Sequence, residues 1–396
     1  MPFHLRHCLK QIFLALILAP GFVQATWAAN DPTGPYTTKA ARAVLMDAAT
    51  GAILFQHNSD ELAPPASLSK LMTLAVLFKA MKAGKIQGSD EFTMSVNAWR
   101  KGGAPSRTSA MMVPVNSKVR VDELIQGIAV ESGNDACISV AENLGGSEAA
   151  FAKMMTDEAR RIGMPKSTFT NPTGLYEQNH LMTARELAIL GRYIITEYPE
   201  YYKVFGQKEF QYRTHKFINR NPLLFLQIGA DGMKTGHIEQ AGFGLVGSAV
   251  QEGKRLIVVV AGLASANERK DEAVKLLEWG FKSFSSVRIF DDGEIIGQAR
   301  VWGGSRMYVP LSGKGEVTIS LPKYPASQRL TAEIVYKAPL KPPVKKGDQV
   351  AVLRVTSTSS AQSEIPLYAT EDVIQGGIVR KGFDTLVLMA LRRLAL

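Results

Sequence analysis

Ser67 and Lys70, in the stretch "PPASLSKLMT", stand three residues apart in a segment that is otherwise apolar. On a helix starting at Pro65 the two share one face, a turn apart, while Ser69 points elsewhere. A lysine held against a buried helix loses its proton more easily than in water, and the neutral amine can then take the proton of a serine hydroxyl. The pair predicts a serine nucleophile activated without histidine. Spacing alone is cheap, since Ser320 and Lys323 in "SLPK" repeat it. There Pro322 and the surrounding alternation argue against a helix, so those side chains need not converge.

Company separates the two matches. Ser132, Gly133 and Asn134 in "VESGNDA" form a Ser-x-Asn, and Lys234, Thr235 and Gly236 in "DGMKTGH" form the one Lys-Thr-Gly of the chain. A second Ser-x-Asn, Ser95 to Asn97, shows how little one element means by itself. Three in order mean more.

The elements that must position these residues follow from pattern. "RAVLMDAATGAILFQ" reads as a hairpin turning near Asp47 to Gly51. "SLSKLMTLAVLFKAMKAG" reads as a helix opened by Pro64 and Pro65, closed at Gly84 and apolar nearly all round, hence central and buried. "AGFGLVGSAV" and "RLIVVVAGLAS" flank "QEGK" as a second hairpin, and "ERKDEAVKLLEWGFKSF" follows as an amphipathic helix. From about Val287 to Val373, short alternating runs such as "EVTISL", "LTAEIVY" and "QVAVLRV" predict a small all-β domain.

Composition narrows the class. The 396 residues, 46% hydrophobic and 21% charged, suit a globular chain large enough for two domains. Arg6 and Lys10 before "IFLALILAPGFV" and small residues in "ATWAAN" predict an export signal over residues 1–28, because about twelve apolar residues fall short of the roughly 20 that span a bilayer. Cys8 would leave with that signal, so Cys137, in the apolar run "DACISVAENL", has no bridge partner and reads as a buried structural thiol. The formal charge of +10 suits acidic partners such as anionic lipid or a carboxylate-bearing polymer. Nucleic acid fits poorly, because no basic run is interleaved with stacking aromatics. No HExxH and no cysteine pairs occur, so neither a metal nor a cofactor is expected. "GFGLVG" matches a dinucleotide fingerprint, yet it opens no helix.

With these motifs, and with "NRN", a β domain and an amphipathic tail, the sequence resembles the low-molecular-mass penicillin-binding proteins that act as D-alanyl-D-alanine carboxypeptidases. The resemblance implies an α+β catalytic domain of the penicillin-recognising, β-lactamase-like fold over residues 29–285, antiparallel sheet with helices, then a β-rich domain over 286–373. It makes Ser67 the acylated nucleophile and Lys70 its base. Ser132 and Lys234 would relay the proton to the leaving amine, and Asn134 would hold the substrate amide. Lys234, Thr235 and Arg220 would meet the D-alanine carboxylate beside Gly236, and the backbone amides of Ser67 and His237 would form the oxyanion hole. Peptidoglycan stem peptides would be the substrate and β-lactams the inhibitors. In "GFDTLVLMALRRLAL", Phe383, Leu386, Val387, Ala390, Leu391 and Leu394 share one helical face, so residues 374–396 read as an anchor lying in an anionic membrane surface on the periplasmic side.

Two alternatives stand beside this reading. A β-lactamase would need a deacylating glutamate, and "YEQNHLMTA" lacks the ExxLN pattern that class A enzymes carry, which leaves Glu177 a poor substitute. A noncatalytic wall-binding relative would be expected to have lost a catalytic residue, and none is missing.

Overall fold

The computed structural model describes residues 36–323, 330–357 and 362–394. The export signal over residues 1–28 lies outside them. The chain divides into two compact units, Pro35–Lys282 and Ser283–Leu396.

The first unit is built on a five-stranded sheet in the order Ile53–His57, Arg42–Asp47, Lys254–Leu263, Gly242–Gln251, Ala230–Ile238, with every neighbouring pair antiparallel. Both expected hairpins are present. The central strand reads "KRLIVVVAGL" and buries Leu256 to Val260 completely, which is the continuous apolar run of a strand covered on both faces. The Lys-Thr-Gly strand, Ala230–Ile238, is the edge of this sheet, so alternate N–H groups along it have no strand partner. "GFGLVG" is the strand beside it, not a nucleotide loop.

The "SLSK" segment begins differently from the expected helix. Ala66–Ser69 is a 3-10 turn, and the α-helix runs from Lys70 to Lys82. The Leu68 N–H bonds back to the Pro65 carbonyl at 3.2 Å, an i to i+3 closure that makes the start the tighter turn. The helix ends where Gly84 takes φ +70°, with Lys79 and Lys82 in the last turn facing the negative end of the dipole. Lys70 to Phe78 are all buried. Truncating one of these side chains, Leu74→Ala for example, should cost about 2–5 kcal/mol. Helix Asn134–Gly145, which carries Asn134 at its start, packs against this central helix.

Among its described residues the second unit is β apart from its last helix. Strands Ile295–Arg300, Tyr308–Ser312, Gln362–Ala369, Gln349–Ser357 and Leu330–Val335 pair in that order, and Phe284–Phe290 pairs with Val317–Pro322. Val309, Leu311, Ile319, Leu353 and Leu367 form its core. Ser320 is strand, opposite Ser286, and that strand runs to Pro322, so Ser320 and Lys323 are not set one helical turn apart.

The tail forms helix Ile378–Leu394. One side docks on the β unit: the Asp384 carboxylate is 1% exposed and accepts the Gly303 N–H at 2.7 Å, and Trp302 Nε1 donates to Thr385 Oγ1 at 3.3 Å. Val379, Phe383, Leu386 and Met389 stand exposed. The side chains of Val387, Ala390, Leu391 and Leu394, expected on the same face, lie outside the described residues.

Candidate active site

Four segments converge on Ser67. The first is the 3-10 turn and the start of its helix. Lys70 Nζ lies 2.7 Å from Ser67 Oγ. Ala66, just before the serine, has φ +51°, a conformation that costs a non-glycine residue about 1 kcal/mol or more. Loop Asn171–Gly174 braces it from behind: a Cβ on Gly174 would fall 1.9 Å from the Ala66 carbonyl oxygen, so only glycine fits there. Pro172 O accepts the Thr73 hydroxyl at 2.6 Å, which ties the same loop to the helix.

The second segment is Ser132-Gly133-Asn134. It follows a π-turn over Gly127–Glu131, and Ser132 ends that turn with φ +67°. Strained non-glycine backbone thus sits beside both serines, as is common where structure over-determines a functional geometry. Ser132 Oγ and Asn134 Oδ1 are buried and have no hydrogen-bond partner among the described residues. Buried polar atoms are seldom left unpaired, so these two mark a place for a polar ligand.

The third is the Lys-Thr-Gly strand. Lys234 and Thr235 are buried, and Lys234 Nζ donates to the Thr235 carbonyl at 3.1 Å. Gly236 lets the strand approach the turn that carries Ser67, since a Cβ there would meet Pro65 O at 3.1 Å and Leu68 N at 3.2 Å. His237 is exposed and stacks on Phe243 at 3.9 Å, so its ring is turned to a structural contact.

The fourth is "NRN". Asn219 Oδ1 accepts the Asn221 N–H and Asn221 Oδ1 accepts the Leu223 N–H, and both asparagines are buried. The loop is thereby fixed with Arg220 projecting. Arg220 Nη1 donates to Ser109 Oγ at 2.7 Å, and Nη2 pairs with Glu131. Arg220 is therefore not the free solvated charge of a loop.

Burial governs the charges. Lys70 is 1% exposed, and desolvation brings its ammonium down from 10.5 to about 8, with the Arg220 cation adding to the effect. Burial, then repulsion from Lys70 and Arg220, pushes Lys234 well below its usual value. Two buried amines beside a cation favour losing a proton, which is what a general base requires. Burial pushes the Cys137 thiol up to about 12, so it is inert, as its apolar run predicts.

Four contributors were not among the motif residues. Asp135 is fully buried and accepts N–H groups from Met111, Val113 and Ala136 at 2.8, 3.2 and 2.9 Å. It pins the loop that brings Thr108 Oγ1 to Asn134 Nδ2 at 2.9 Å and Ser109 to Arg220. Glu131 completes that ring. Asp135 had a signal, an acidic residue in the first turn of a helix; Thr108, Ser109 and Glu131 had none. The decoys have other duties. Ser95 caps helix Val96–Gly102 by accepting the Ala98 N–H at 2.9 Å, and Asn97 donates to Glu142 and Glu148. Glu177 is an exposed loop residue whose Oε1 accepts from Asn171 at 2.9 Å.

A serine paired with a buried amine, a second serine and an edge strand carrying Lys-Thr-Gly define an active-site serine enzyme of the penicillin-recognising fold. Comparison with known proteins gives the family. Residues 27–265 match the family profile described as D-alanyl-D-alanine carboxypeptidase, and residues 284–375 match the C-terminal domain of penicillin-binding protein 5. The chain belongs to the D-alanyl-D-alanine carboxypeptidase family and is a serine-type peptidase of that kind. It is 37% identical to the D-alanyl-D-alanine carboxypeptidase DacA of Haemophilus influenzae over 87% of this chain and 88% of that one. To DacC of Escherichia coli it is 35% identical, over 93% and 92%. The crystal structure of penicillin binding protein 5 from Haemophilus influenzae superposes with a TM-score of 0.73 at 35% identity, covering 86% of this chain and 99% of that one.

Proposed function

We propose that the chain removes the terminal D-alanine from peptidoglycan stem pentapeptides through an acyl-enzyme on Ser67. The observation that carries this is the 2.7 Å contact between Ser67 Oγ and a fully buried Lys70 amine. Ser67 Oγ attacks the carbonyl of the penultimate D-alanine and passes its proton to Lys70 Nζ. The Ser67 and His237 amides hold the developing oxyanion, each donor being worth roughly 2.7–4 kcal/mol. Ser132, with Lys234 behind it, returns a proton to the leaving amine, which departs as D-alanine. Water then cleaves the ester. Asn134 Oδ1, without a protein partner, accepts the substrate amide N–H, while Thr235 and Arg220 receive the terminal carboxylate. A β-lactam carries the same amide and carboxylate and acylates the same serine.

The setting belongs to the proposal too. Residues 1–28 would export the chain, residues 29–285 carry catalysis, residues 286–373 form the β-rich domain, and residues 374–396 rest on the periplasmic face of the inner membrane. Supporting the last point, Val379, Phe383, Leu386 and Met389 form an exposed apolar stripe. Among the described residues no helix is long and apolar enough to cross a membrane.

The experiment is direct. Purified protein incubated with diacetyl-L-Lys-D-Ala-D-Ala should release free D-alanine, and Ser67→Ala should release none. Release by Ser67→Ala at the normal rate would refute the assignment.

A further inference from the structure

Arg220 reaches the site already occupied. One N–H of its Nη1 goes to Ser109 Oγ and one of its Nη2 to Glu131, and the two partners differ in kind: one is a neutral hydroxyl, the other a carboxylate. The Glu131 side chain is 14% exposed while that of Arg220 is 45% exposed, so the acid lies beneath the guanidinium and the arginine presents its outer edge to solvent. Glu131 is held there by backbone, being the last residue of the π-turn that leads into left-handed Ser132. The charged groups that act on it are Arg220 from the "NRN" loop, Lys234 from the edge strand, Lys70 from the central helix, and Asp135 from the following helix. Asp135 is committed to three backbone N–H groups. Glu131 is the anion bonded to the arginine itself.

We infer that Glu131 is a specificity-determining residue that acts as an internal competitor for the substrate's terminal carboxylate. It keeps Arg220 in place and at the same time lowers the affinity of the site for any ligand ending in a free carboxylate, substrate and released D-alanine alike. Two carboxylates sharing one guanidinium repel each other, and in a partly desolvated site that repulsion is not fully screened. A ligand lacking the carboxylate escapes the competition. The consequence is faster release of carboxylate ligands at the expense of their affinity. This inference rests on the reading of Arg220 as the receiver of the carboxylate, and its test has to separate the two.

Burial raises the carboxyl of Glu131 above its ordinary range, against the pull of Arg220 and Lys234. Acidification therefore removes the competing charge before it removes that of the ligand, whose α-carboxylate is the stronger acid. Lys70 and Lys234 also gain protons as pH falls and strengthen carboxylate binding in both proteins; the Glu131 charge helps both amines hold those protons, so its loss in the Gln protein works against the gain in binding until acidification protonates both amines in either protein. The signature of Glu131 is thus a difference between the two proteins that disappears at low pH.

The measurement is calorimetric binding of diacetyl-L-Lys-D-Ala-D-Ala and of its C-terminal amide to full-length Ser67→Ala protein, which cannot turn them over, with and without Glu131→Gln. Glutamine retains an oxygen for Arg220 and nearly the same volume. The inference predicts that at pH 7.5 Glu131→Gln binds the free acid about tenfold more tightly. The amide should bind equally to both proteins, and the two proteins should converge on the free acid as the pH falls. Equal binding of acid and amide both with native Glu131 and with Glu131→Gln would overturn the reading of Arg220, and this inference with it. A preference for the acid that Glu131→Gln leaves unchanged or weakens would overturn the competition alone. The pH series on the Ser67→Ala protein with native Glu131 is a second arm: its acid-over-amide preference must grow on acidification more steeply than in the Gln protein.

Discussion

Ser67 and Lys70 meet at the joint between a 3-10 turn and an α-helix, with Oγ and Nζ 2.7 Å apart. The joint leaves the serine half-buried and within reach of a substrate, while the lysine is the first residue of a helix whose next eight residues are also buried. One turn of chain thus contains both an accessible hydroxyl and a desolvated amine.

The rate of acylation should follow the proton on Lys70. Its amine is active when neutral, and its ammonium titrates at about 8. The acylation rate by a fluorescent penicillin should therefore rise about tenfold per pH unit from 6 to near 8 and then level off. Stopped-flow labelling checks it, and a flat profile over that range would rule out Lys70 as the base.

The same burial should make Lys70 a liability to the fold. Its folded pKa lies below its unfolded one, so the unfolded chain holds the proton more tightly. Below about pH 8 both states are charged and the full penalty applies; between 8 and 10.5 it declines, and above 10.5 both are neutral and it is gone. At roughly 1.4 kcal/mol per unit, Lys70→Met should stabilise the protein by about 2–3 kcal/mol at pH 7, after allowing for the lost serine contact. Thermal melts at pH 7 and above pH 10.5 should show the gain shrinking, even though the variant is inactive.

Much of this was legible in the sequence because the chemistry is local. A serine and a lysine three apart, a Ser-x-Asn and a Lys-Thr-Gly need only their elements to be right, and hairpins, central helix and β-rich domain all announce themselves by periodicity. The 3-10 start before Lys70 was not legible, because the prolines that open a helix do not say which kind of turn they open. Nor was the ring of Thr108, Ser109, Glu131 and Arg220. Its members come from separate segments, and only tertiary packing joins them.

Ser95 should behave as a structural residue despite its motif. It caps a helix and donates to the Glu142 carboxylate. Ser95→Ala should lower stability by about 1–2 kcal/mol in chemical denaturation while leaving the rate of penicillin acylation unchanged. Ser320→Ala, in a strand of the other unit, should likewise leave labelling unchanged.

The tail's two sides should separate genetically. Phe383→Glu with Leu386→Glu places charge on the exposed stripe without touching Asp384, whose carboxylate accepts from Gly303. This variant, and a chain ending at Gly377, should leave the membrane fraction for the soluble periplasmic one while keeping D-alanine release. Unchanged sedimentation of both would assign the helix to packing alone.

The central claim is that Ser67 is the acylated atom and Lys70 its base. Incubation with benzylpenicillin, proteolysis and mass spectrometry test it most directly. A single added drug mass on the peptide containing Ser67 is predicted, with none on Ser67→Ala and orders-of-magnitude slower labelling of Lys70→Ala. An adduct on Ser69, Ser132 or Cys137, or labelling of Lys70→Ala at the wild-type rate, would contradict it.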